Sequence, residues 1–79
     1  MTFRFVGPNK QQKLTATQIE CFNKDGNLTI LPGHKEDIFL LKPNSTIIVH
    51  LIGGTKEEFS IDEAVLEITR EEVTCLVLL

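Results

Sequence analysis

Hydrophobic and polar residues alternate with a period of two at the start of the chain. Thr2 and Arg4 interleave with Phe3 and Phe5, and Val6-Gly7-Pro8-Asn9 closes the run with turn-forming residues. A first strand is predicted here. Lys10 to Lys13 is polar without periodicity, and from Leu14 to Phe22 the apolar positions Leu14, Ala16, Ile19 and Cys21 change phase midway. A one-residue slip turns every following side chain to the opposite face, so a bulge near Thr17 or Gln18 is expected. Asp25-Gly26 follows and is a hairpin signal, with Leu28-Thr29-Ile30-Leu31 as the returning strand.

Pro32-Gly33 breaks the chain again, and Ile38-Phe39-Leu40-Leu41 is a short apolar run ended by Lys42-Pro43-Asn44. Ser45 to Ile52 is rich in Thr, Ile and Val, and Gly53-Gly54 permits a tight turn into Glu57–Ile61, with Phe59 and Ile61 on one face. Ala64 to Thr69 is a further strand, Arg70-Glu71-Glu72 a charged turn, and Val73 to Leu79 the last strand. Lys56 to Glu72 has fair helix propensity, but Ile, Val and Thr interrupt its helix formers in alternation. About eight short strands spaced by turn signals predict an all-β fold, a sandwich or barrel filling residues 1–79 as a single domain.

Composition adds limits. With 79 residues there is room for one thin core, and with five Phe and no Trp or Tyr that core is aliphatic. A net charge of −3 and no Lys/Arg cluster interleaved with aromatics argue against nucleic acid. The apolar run Thr74–Leu79 falls far short of the ~20 residues a membrane helix needs, so no direct membrane insertion is expected. MTFRF has no signal-peptide apolar region, which favours a chain that is not exported. Cys21 and Cys75 each sit in an apolar-rich segment and lack metal-ligand spacing, so they are read as small buried hydrophobes.

Candidate chemistry is sparse. The chain has no nucleophile elbow, phosphate-cradling loop or histidine pair at metal spacing, so no catalytic residue, cofactor or metal is expected. His34 follows Pro32-Gly33 in a loop and is assigned a contact role; His50, between Val49 and Leu51, reads as a strand-face imidazole. Glu57, Glu58, Asp62 and Glu63 read as solvated charge.

The stretch from Asn23 to His34, Asn-Lys-Asp-Gly-Asn-Leu-Thr-Ile-Leu-Pro-Gly-His, resembles the Gly-x-Leu/Phe-Gly-Ile/Val-Leu/Tyr-Pro-Gly-His signature of epsilon subunits of F-type ATP synthases. Lys42-Pro43 stands where that family has Lys-Pro-Gly; Glu58-Phe59, Val65-Leu66-Glu67-Ile68 and Val73-Thr74-Cys75-Leu76 are similar to its later strands. The resemblance runs in order over essentially the whole chain.

It implies a flattened β-sandwich of about 8–10 short, mostly antiparallel strands, corresponding to the family's N-terminal domain without its C-terminal helical hairpin. It also implies a non-catalytic rotor subunit of the central stalk in a proton- or sodium-translocating synthase, linking the gamma subunit to the c-ring. Its place would be peripheral, on the cytoplasmic face of a bacterial inner membrane or on an organelle inner or thylakoid membrane. Carried over, Asp25, Gly26 and Asn27 would face the c-ring, and His34, Ile38, Phe39 and Leu40 would face gamma, with Phe39 and Leu40 as candidate anchors. Lys35-Glu36-Asp37 replaces the family's Ala-Pro-Leu, and Ser60-Ile61-Asp62-Glu63-Ala64 replaces a Leu-Ser-Gly-Gly turn, so the local turn is expected to differ. These charges motivate an alternative of another class, a diverged stand-alone β-sandwich adaptor that has left the rotor. The apolar end Val77-Leu78-Leu79 is expected to be a strand edge open to self-association.

Overall fold

The computed structural model describes residues 1–78 and contains strands and turns, with no helix among them. Period-two alternation fixes eight strands: β1 Thr2–Val6, β2 Gln11–Asn23, β3 Gly26–Ile30, β4 Asp37–Leu40, β5 Ser45–Leu51, β6 Lys56–Ile61, β7 Ala64–Ile68 and β8 Glu72–Val77. The expected all-β fold is present.

The thirteen-residue strand β2 organises the rest. Its first half pairs antiparallel with β1, from Val6↔Gln11 to Thr2↔Thr15; its second half pairs with β3 and with β5. Between the halves the register shifts, because Ala16 faces Leu51 and Gln18 faces His50 while Thr17 is left over. That is the bulge the phase change predicts. Ala16 points inward before it, and Ile19 and Cys21 point inward after it. One group of strands is therefore β4-β7-β8-β1 with the start of β2, and the other is β3, the end of β2, β5 and β6. Only the β1/β8 pairing is parallel among the seven described.

The inner faces of the two groups meet in one core. Phe3, Phe5, Leu66, Ile68, Val73 and Cys75 come from one side, and Ile19, Cys21, Ile30, Ile47, Val49, Phe59 and Ile61 from the other. Phe59 joins them directly, with its ring 4.7 Å from Phe5 and 5.6 Å from Phe3 between centroids. Aromatic pairs at such offsets add to the burial term.

Three expectations change. Gln11–Lys13, which shows no periodicity, belongs to β2, since pairing with β1 supplies the order its side chains do not. Glu72 lies at the start of β8 and not in the turn; its carboxylate accepts from Arg4 Nε at 2.6 Å, across the parallel pair where Thr74 faces Arg4. The open edge at the end of the chain is not there. β8 is paired on one side by β7 and on the other by β1, and Leu78 N–H donates to Glu63 O, so its backbone has no free row for a neighbour; Leu79 lies outside the described residues.

Candidate functional site

Two turns and an edge strand build the features that the sequence singles out. The β2–β3 hairpin turns through Lys24 and Asp25, with Asn23 paired to Gly26. Asn23 Oδ1 accepts from the Asp25 N–H at 2.9 Å, and Gly26 leaves the turn at φ 121°. A type I′ turn needs positive φ at both central residues. Asn44 is the one non-glycine with positive φ among the described residues, so this hairpin uses Gly26 at the exit and not an Asp-Gly centre. At Leu31-Pro32-Gly33-His34 the His34 N–H donates to Leu31 O at 3.1 Å, closing a turn, and His34 Nδ1–H donates to the Lys35 carbonyl at 2.7 Å. That bond assigns the tautomer and points the half-buried ring along its own loop.

β4 carries the apolar run. Ile38 and Leu40 are 63% and 65% exposed on its outer face, while Phe39 points the other way and packs against the core. The two candidate anchors Phe39 and Leu40 thus lie on opposite faces of one strand.

Between β4 and the β2–β3 hairpin lies a groove of about 980 Å³. Leu28, Phe39, Leu41 and Ala64 give it apolar walls, and Lys24, Asp25, Asp37, Lys42 and Glu63 give it a charged rim. Asp25 and Gly26, expected to face one partner, and His34, Phe39 and Leu40, expected to face another, line this one groove together. Asn27 and Ile38 stand outside it.

The outer face beside the groove holds a feature that sequence reasoning missed. The registers Leu40↔Val65, Val65↔Leu76 and Leu76↔Val6 set four apolar residues in a row across β4, β7, β8 and β1. Only the pairing order reveals this row, since the residues come from four separate segments. His50 lies on the outer face of the other group, its Nε2 2.9 Å from a Glu20 carboxylate oxygen, and Lys10 Nζ stands 5.4 Å from the Phe59 ring centroid.

The one replaced glycine turn is also resolved. Asp62 and Glu63 pass from β6 to β7 without positive φ, and Asn44 N–H donates to Asp62 O at 2.9 Å. The core thiols stay protonated at ordinary pH, because burial pushes Cys21 up to about 11, and burial with the nearby Cys21 pushes Cys75 up to about 12. Among the described residues there is no group of three or more His, Cys, Asp or Glu able to hold a metal, and no helix long and apolar enough to cross a membrane.

Two groups of strands packed over an interior filled by side chains define the class of β-sandwich domains. The chain belongs to the family described as ATP synthase, Delta/Epsilon chain, beta-sandwich domain, which matches residues 1–78 and is a family of non-catalytic subunits. A search of curated proteins finds no match. Among solved structures, a chain of the Euglena gracilis mitochondrial ATP synthase, an assembly of OSCP, F1 and c-ring in rotational state 1, superposes with a TM-score of 0.85 at 17% identity. The match covers 95% of this chain and 48% of that one, so this chain spans about half the length of its structural relative. At that identity the likeness concerns the fold.

Proposed function

We propose that this chain is the β-sandwich domain of a central-stalk rotor subunit, linking gamma to the c-ring so that torque passes between them without slip. Family membership over residues 1–78 carries this reading. A sandwich bridged by Phe59 and sealed by β8 in the middle of its sheet is stiff in the way such a link requires. The gamma-facing surface is the outer face of β4 with its neighbours, where Ile38, Leu40, Val65 and Leu76 lie side by side, flanked by His34 and Phe39 in the groove. The hairpin tip Asp25-Gly26-Asn27 faces the c-ring, and Asn27 brings no charge to that contact. Coupling to ion flow occurs in a peripheral position, through the complex and not through this chain's own passage across a membrane.

The test is titration of the purified gamma subunit into this chain. Apolar anchors dominate such interfaces, so Leu40→Asp should weaken binding roughly tenfold or more, about 1.4 kcal/mol per tenfold. Lys56→Ala, on β6 at the far edge, should leave it unchanged. Equal affinity for the wild type and Leu40→Asp would remove β4 from the interface. No binding by either would favour an adaptor that has left the rotor.

A further inference from the structure

We draw no further inference here: the strongest candidate, the groove between β4 and the β2–β3 hairpin with its apolar walls of Leu28, Phe39 and Leu41, belongs to the contact site already described, and nothing in the structure shows what covers it.

Discussion

Gly26 stands at φ 121°, a conformation outside the regions open to L side chains, yet no atom lies within 4 Å of where a Cβ would be. Space and backbone strain are therefore separable at this residue. Gly26→Ala should destabilise the fold by about 1–3 kcal/mol through strain alone, read as a lower denaturant midpoint with an unchanged m-value. The sequence shows that a turn lies here and that glycine is central to it. The turn type is not legible, because Asp-Gly serves both a type I′ centre and a turn with glycine at its exit, and only the pairing of Asn23 with Gly26 decides between them.

The two core thiols give a second prediction at this scale. Both are raised by burial, Cys21 to about 11 and Cys75 to about 12, from an ordinary value of 9.0. Below pH 9 both states keep their protons and stability is whole. Above it the unfolded chain releases protons that the folded chain retains, so stability falls between about pH 9 and pH 12. Thermal melts across that range should show the decline, and Cys75→Val, which fills a similar volume and does not titrate, should flatten part of it. An equal decline in the variant would assign it to other groups.

Among the elements, β2 decides the architecture. Its bulge at Thr17 lets one strand serve both groups, with Ala16 inward on one side of it and Ile19 and Cys21 inward on the other. Deleting Thr17 leaves the hairpins at either end intact in sequence, but it forces Ile19 and Cys21 or Leu14 and Ala16 into solvent. We expect the variant to lose the cooperative melt, whereas Thr17→Ala, which removes only a 3.2 Å bond to His50 O, should stay within about 0.5 kcal/mol of wild type. The bulge is legible from the sequence because a phase change in alternation is a local signal. The pairing of β8 is not. Its apolar residues Val73, Cys75 and Val77 suit an edge or an interior strand equally, and the parallel contact with β1 joins the two ends of the chain.

At the scale of the molecule, the apolar outer face is assembled by topology. Leu40, Val65, Leu76 and Val6 come together because β4, β7, β8 and β1 lie in that order, an order that alternation along the chain does not encode. The sequence points to His34, Ile38, Phe39 and Leu40 as one contact segment through resemblance to the family. The structure sends Phe39 inward from that segment, and brings the hairpin residues Asp25 and Gly26 to the same groove. The rotor link proposed above would need stiffness and exposed contact at once, and β4 divides into an inward Phe39 and outward Ile38 and Leu40.

The central claim, that this chain works as part of an ATP synthase rotor, is tested most directly by recovering a tagged copy from its native host after gentle solubilisation and identifying what accompanies it by mass spectrometry. The account predicts gamma and c subunits in stoichiometric amounts, with recovery reduced for Leu40→Asp. Recovery of the chain alone, or with proteins unrelated to ATP synthase, would contradict it.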